Sequence, residues 1–292
     1  MPSVAFVINR TRVHNLARLY RECREAATAA GWEPLLLETT VDSSGVGLAH
    51  GAVEAGSRLV FAVGGDGTVR ACAQALAGTE VPLAIVPRGT ANLAARALAV
   101  PSRLEAALAV GFGGRSRRID LAAADGITFA AMAGIGLDAA VVAATPRLLK
   151  EQLGWAGYAM SGMTHLAGRP RVFRVRLDGS QFLTRPGRCV VVGNAGLLPG
   201  GFVLLPAARL DDGQLDVGIL AAAGILSWAR VAHRVLTRSS QNDGALERHR
   251  ARHIEIGSDV ELPREVDGEV ISPGRSLTIT LRPGALLVRV AR

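Results

Sequence analysis

The sequence predicts an α/β domain over residues 1–115, a parallel sheet covered by helices, followed by a β-rich, sandwich-like domain over 116–283. Three observations carry that expectation. Short apolar runs alternate with stretches of helical periodicity through the first third of the chain. Two of those runs stop at glycine-containing polar loops, Gly64-Gly65-Asp66-Gly67-Thr68 and Pro87-Arg88-Gly89-Thr90-Ala91-Asn92. Past about Arg115 the rhythm shifts to short strands parted by Gly, Asp and Pro turns. A length of 292 residues suits two domains, or one large one.

Taken in order, residues 4–8 form a short buried strand. Residues 15–30 place Leu16, Leu19, Cys23, Ala26, Ala27 and Ala30 on one helical face, and Gly31 stops the helix. A strand over 34–38 precedes a helix over 48–55 that ends at Gly56, and a strand over 59–63 breaks at the first glycine loop. A helix over 69–77, a strand over 83–86 and a helix over 91–99 complete the alternation. Beyond it, 119–121, 129–133, 171–177, 189–194, 214–220, 253–256 and 269–271 read as strands, with helices near 148–166 and 227–237. Residues 277–281 and 286–290, on either side of Pro283-Gly284, read as a closing hairpin. The pattern leaves open whether the last strand, about 284–292, returns to the first domain.

Formal net charge is +8, and almost all the positive charge is arginine, Lys150 being the only lysine. An anionic partner is one reading of that balance, and plain solubility is the other. A single lysine leaves no G-x-x-x-x-G-K-[ST] phosphate loop and no strand lysine of the protein-kinase type. Cys23, Cys72 and Cys189 are odd in number and far apart, which suits buried thiols in a reducing cytosol. The longest uncharged apolar run, 217–229, is too short to cross a bilayer, and residues 1–10 lack the features of a signal peptide. There is no G-x-S-x-G elbow, and basic residues without interleaved aromatics argue against nucleic acid. His249 and His253 have the helical spacing of a zinc pair without a third ligand. A solvated basic face, able to lie against anionic headgroups, is the preferred reading.

The two glycine loops carry the chemistry. Glycines let the backbone approach a ligand and turn its N–H groups inward, which suits phosphate oxygens. A carboxylate in such a loop, Asp66, calls for a divalent cation or a proton-bearing substrate beside it. Two consecutive strands ending in polar loops set both along the carboxyl edge of a parallel sheet, where ligands of open α/β sheets bind. Thr90 and Asn92 suit phosphate or ribose, or a cap for the next helix.

GGDGT followed by P-x-G-T-x-N resembles the diacylglycerol kinase catalytic domain, shared with sphingosine and ceramide kinases and more distantly with NAD kinases. Further segments are similar to the same family. They are 9–13, Thr39-Thr40, 133–139, Gly193-Asn194, Gly200-Gly201, 206–216 and Asp267-Gly268-Glu269. The resemblance implies a Rossmann-like nucleotide domain, a β-sandwich-like lipid domain, and transfer of the γ-phosphate of ATP to a hydroxyl of diacylglycerol or a similar membrane lipid. ATP would lie against Asn9, Thr40 (or Thr39), Gly64, Gly65, Asp66, Gly67, Thr68, Gly89, Thr90 and Asn92. Asp66 and Glu269 would be catalytic, Glu269 as the general base that takes the lipid hydroxyl's proton. Arg209-Leu210-Asp211-Asp212-Gly213-Gln214 resembles a structural Mg²⁺ loop, with the Asp212 carboxylate and the main-chain carbonyls of Arg209 and Gln214 as ligands. A plain Asp-Gly turn is its other reading.

The chain departs from the pattern at Arg70 and Ala71, where the family commonly has Asn-Glu, and at Arg10, where it has proline. Cytoplasmic placement with peripheral contact at the anionic inner face of the membrane is expected, and a homodimer is left open. A soluble NAD-kinase-like enzyme and a nucleotide-binding protein without catalysis stand as alternatives.

Overall fold

The computed structural model describes residues 1–13, 15–40, 45–136, 170–196, 203–221 and 244–292, with positions 227, 230, 231, 233, 234, 237 and 242. The expected helix near 148–166, Lys150, and the family-like positions 137–139 and Gly200-Gly201 lie outside the described residues. The chain divides into two compact units, Met1–Leu121 with Arg282–Arg292, and Ala122–Leu281. The first division falls within one strand, a few residues past the expected boundary at 115. Residues 284–292, left open by the sequence, belong to the first unit, and so do 282 and 283, which the sequence reading put in the second.

The first unit is a parallel sheet. Its strands are β1 (Ser3–Ile8), β2 (Glu33–Glu38), β3 (Ser57–Gly64) and β4 (Leu83–Pro87). β1 lies between β2 and β3, and β4 pairs β3 on its other side. Helices α1 (Leu16–Ala29), α2 (Gly45–Glu54), α3 (Asp66–Leu76), α4 (Leu93–Ala97) and α5 (Leu104–Gly113) accompany it. Val4, Phe6 and Ile8 of β1 share a core with α1 and α5, while Ala5 and Val7 are equally buried on the opposite face. Burial on both faces explains why these strands read as continuous apolar runs. Phe6 stacks on Phe61 with ring centroids 4.7 Å apart. At Gly111 of α5 an added Cβ would lie 2.2 Å from the Phe61 ring, so the helix approaches the sheet only because that side chain is missing.

One expectation here needs correction, and one helix lies outside the sequence reading. The helix expected over 91–99 is only the five residues of α4, because Asn92 and Ala99 at its ends both hold positive φ, 49° and 54°. α5 was not anticipated. Its segment, LEAALAVGFG, has no polar stripe to mark a helical period.

The second unit is antiparallel. β5 (Arg115–Ala124) runs from the first unit into it, followed by β6 (Ile127–Phe129), β7 (Met132–Ile135), β8 (Arg171–Leu177), β9 (Leu183–Gly187), β10 (Cys189–Gly193) and β11 (Leu215–Leu220). β12 (Leu246–Ala251), β13 (His253–Val266) and β14 (Glu269–Val290) close the chain. The order is β12-β11-β10-β7-β13-β14. β13 pairs β8 through Ile254 to Ser258 and β7 through Arg264 to Val266, with register shifts between. An irregular strand of this kind bends and serves two layers, which yields the sandwich-like arrangement expected. Phe129, Phe173, Val192, Val217, Ile254 and Ile279 lie in its core.

Three further expectations change. The strand read over 129–133 is two, β6 and β7, parted at Ala130-Ala131. The segment with His249 and His253 is extended, so the two histidines share no helical face; His249 faces Glu247 and His253 faces Thr280. The closing hairpin is absent. Residues on one side of Pro283-Gly284 pair β13, while Val288 pairs β4 in parallel. Gly284, at φ 58°, donates its N–H to Asp120 Oδ1 at 2.7 Å, which fixes the bend. The described positions between 227 and 237 are helical, as read.

Candidate active site

In the first unit, four strand ends bring the predicted residues to one carboxyl edge. Strand order reverses between β1 and β3, and open α/β sheets bind ligands at such a point. The Asn9 N–H bonds Val63 O at 2.9 Å, the Arg88 N–H bonds Gly64 O at 2.7 Å, and the Thr39 N–H bonds Ile8 O at 2.9 Å. The loops after β1, β2, β3 and β4 are thereby tied side by side.

The two glycine loops meet backbone to backbone. A Cβ built on Gly89 would lie 2.6 Å from Gly65 Cα, and one on Gly65 would lie 3.1 Å from Gly89 Cα. No other residue permits that approach without moving a main chain. Gly64 is constrained differently: its Cβ would meet Thr68 Oγ1 at 2.3 Å, so Thr68 folds back over the strand end and is buried. Thr68 therefore packs the turn. Gly65 is the N-cap of α3, whose positive helix end opens on this edge.

Asp66 has a role the sequence did not give it. Its Oδ1 accepts the Leu93 N–H at 2.6 Å, so a side chain on α3 caps the start of α4. Burial holds its carboxyl above the usual range, while the N–H groups of Leu93, Asn92 and Ala94 oppose that shift. Asn92 supplies no cap. At positive φ, its Oδ1 accepts the Gly89 N–H and its Nδ2 donates to Gly89 O, both at 2.8 Å, closing a ring that shapes the loop. Thr90 and Thr40 are exposed. The Asn9 Oδ1 accepts from Thr11 N at 3.1 Å and Thr11 Oγ1 at 2.7 Å, capping a single 3₁₀ turn.

Ala71 explains part of the departure from the family pattern. A Cβ on Gly45, the first residue of α2, would lie 3.0 Å from Ala71 Cβ. α2 and α3 thus meet through two small residues, at the position where the family commonly carries a glutamate.

In the second unit, Asp267-Gly268 is a two-residue hairpin turn with φ 49° and 81°, and Val266 pairs Glu269 across it. Asp267 is buried, with Oδ1 accepting the N–H groups of Ala131 and Met132 at 2.9 and 3.0 Å and Oδ2 that of Ala130 at 3.1 Å. Asn194 Nδ2 donates to Ala130 O at 3.0 Å. The break between β6 and β7 therefore joins two segments the sequence had singled out separately. Glu269 is exposed on the strand that leaves the turn. Sequence reasoning passed over Glu265, 1% exposed, whose carboxyl is pushed up to about 7 by burial and then by the charge of Asp267. The only hint was its place two residues before the Asp-Gly-Glu motif.

The loop read as a metal site is engaged by protein donors. Asp212 Oδ1 accepts the Gln214 N–H at 3.2 Å, and Oδ2 pairs with Arg250. The three cysteines are free and buried, and burial pushes each thiol up to about 12. Among the described residues, no helix is long and apolar enough to cross a membrane.

Residues 3–124 match the family model described as the diacylglycerol kinase catalytic domain, and residues 131–290 match the YegS C-terminal NAD kinase beta sandwich-like domain. A curated protein of Pseudomonas fluorescens named "Probable lipid kinase YegS-like" is 35% identical over 284 residues, covering 95% of this chain and 93% of that protein. A protein of the same name from Cronobacter sakazakii is 32% identical over 249 residues, 82% of this chain and 80% of its own. Among solved structures, a diacylglycerol kinase from Bacillus anthracis aligns with TM-score 0.76 and 22% identity over 99% of this chain and 96% of that one. An NAD kinase from Archaeoglobus fulgidus in complex with ATP gives TM-score 0.54 and 14% identity over 99% and 93%. At such identities the two structures speak for the fold.

Proposed function

This chain belongs to the lipid kinase family that carries the diacylglycerol kinase catalytic domain, and on that premise we propose that it transfers the γ-phosphate of ATP to the hydroxyl of diacylglycerol or a similar membrane lipid. The observation that supports this most is the meeting of Gly65 and Gly89 at the carboxyl edge of the parallel sheet. That contact leaves a side-chain-free backbone surface at the head of α3, suited to a chain of phosphates.

In this reading Gly64, Gly65, Gly67 and Gly89 let the main chain approach the nucleotide, with Thr90, Thr40 and Asn9 at its margins. Asp66 and Asn92 position the second loop, the first by capping α4 and the second by its ring with Gly89. Glu269 accepts the lipid hydroxyl's proton as that oxygen bonds to phosphorus and ADP leaves. Mg²⁺ arriving with the nucleotide would screen the phosphate charge. The net positive charge suits peripheral contact with an anionic membrane at the cytoplasmic face.

The test is transfer of labelled γ-phosphate from ATP to a lipid panel in mixed micelles with Mg²⁺, with Glu269→Gln and Asp66→Ala alongside. Labelled lipid phosphate with wild type, cut roughly 10²–10⁴-fold in Glu269→Gln, is expected for loss of a general base. Transfer to soluble NAD without lipid would move the chain to an NAD-kinase-like reading. ATP binding with no acceptor phosphorylated would leave a non-catalytic nucleotide-binding protein, with Arg70 and Ala71 the first residues to suspect.

A further inference from the structure

The basic segment at 247–253 finds its role in the second unit. Arg248 and Arg250 lie two apart on β12, so the pleat puts them on one face, and Arg252 continues the alternation just beyond it. All three reach the segment 204–216. Arg248 donates from Nε and Nη2 to Leu204 O at 3.4 and 3.2 Å. Arg250 pairs through Nη2 with Asp212 Oδ2, reaches Ala207 O at 3.5 Å, and approaches Asp216 Oδ2 through Nε at 3.4 Å. Arg252 Nε donates to Gly213 O at 2.9 Å. Strand register fixes the central contact, because Asp216 of β11 and Arg250 of β12 are directly opposed.

The family resemblance places a structural Mg²⁺ within this same loop, on the Asp212 carboxylate and the carbonyls of Arg209 and Gln214. A hard cation there needs about six oxygens, its waters included, and a carboxylate whose charge is not already neutralised by a fixed cation. Here Asp212 is already bonded on both oxygens, by a guanidinium and by the Gln214 N–H. A divalent ion beside Arg250 would meet a like charge at contact distance.

We propose that this chain has exchanged the loop's structural cation for arginine, with Arg250 taking the Asp212 carboxylate together with Asp216, and Arg248 and Arg252 tying down the loop through the carbonyls of Leu204 and Gly213. A guanidinium offers five directed donors and a permanent charge, so it can bridge carboxylates and carbonyls as a cation does, without dissociating. The exchange concerns the loop's stability, and it stands or falls independently of the phosphoryl transfer proposed above.

The experiment is thermal melting of the full chain, without nucleotide or lipid, in EDTA and in excess MgCl₂. Wild type is expected to melt at the same temperature in both. Arg250→Ala in EDTA should melt about 2–4 °C lower, the discounted effect of a half-exposed ion pair. Added Mg²⁺ should restore most of that loss, because the freed Asp212 and Asp216 carboxylates then accept the ion. A wild-type melting point that falls in EDTA and recovers in Mg²⁺ would overturn the proposal. So would an Arg250→Ala protein that is unaffected, or one that is destabilised but blind to Mg²⁺. Should Arg250→Ala fail to fold, Mn²⁺ binding to wild type by equilibrium dialysis decides the matter. Stoichiometric binding lost in Asp212→Asn speaks against the exchange, and absence of such binding speaks for it.

Discussion

Glu265 and Asp267 are two buried carboxyl groups on one turn, and they are held in opposite ways. Asp267 is surrounded by three N–H donors, whereas Glu265 Oε1 has no hydrogen-bond partner among the described residues. Its carboxyl is raised from 4.5 to about 7, chiefly by desolvation. A group whose folded value lies above its unfolded one binds more protons when folded. Its contribution to stability is therefore complete below about 4.5 and is lost as pH rises through about 7. Glu265→Gln should melt with wild type at pH 4.5 and above it at pH 8, by an amount on the order of 1–3 kcal/mol. Parallel melts at the two pH values, with no gain at pH 8, would contradict the assignment. Asp267→Asn turns an amide toward donors and should cost about 2–4 kcal/mol in urea unfolding. The Asp-Gly-Glu motif was legible in the sequence, but the anchoring role of its aspartate was not. Its donors come from Ala130 to Met132, and no local pattern marks a contact that far along the chain.

At the scale of elements, β1, β3 and β4 were legible because burial on both faces writes itself as unbroken apolar runs, and the glycine loops because glycines that end an apolar run just before a helical stretch stand out in the sequence. What stayed hidden depended on long-range partners. α5 shows no polar stripe, since its approach to the sheet is set by the Phe61 ring. β12 was masked by the accidental four-residue spacing between its His249 and His253, the first residue of β13. The contact between Gly65 and Gly89 was invisible as a contact, although both residues were named. Gly89→Ala should push the two loops apart, raising KM for ATP roughly tenfold or more in steady-state assays while leaving a folded protein. An unchanged KM would show that the approach serves packing alone. Gly111→Ala, which drives a methyl into the Phe61 ring, should lower stability by about 1–3 kcal/mol without changing the pH dependence.

For the whole molecule, the charge of +8 predicts that activity on anionic vesicles falls as salt is raised past ~0.1 M, where screening reaches about 10 Å. Activity on neutral micelles should change far less, and equal sensitivity of the two would argue against an electrostatic approach to the membrane. Composition alone pointed to that charge. The division into units was only partly legible, because the change of rhythm near 115 is clear while the return of the last strand is decided by its pairing with β4. Removing residues 282–292 should abolish nucleotide binding by the first unit, read by isothermal titration with ATP.

That returning strand also sets a timetable for synthesis. β4 emerges from the ribosome early, yet the residue opposite Leu83 is Val288. All of the second unit must be translated before the first can finish its sheet, an interval on the order of ten seconds at ~5–20 residues per second. Through that interval the nascent chain carries an unfinished apolar strand edge. A holdase that shields it until Val288 has emerged would raise the share of chains that reach the native state.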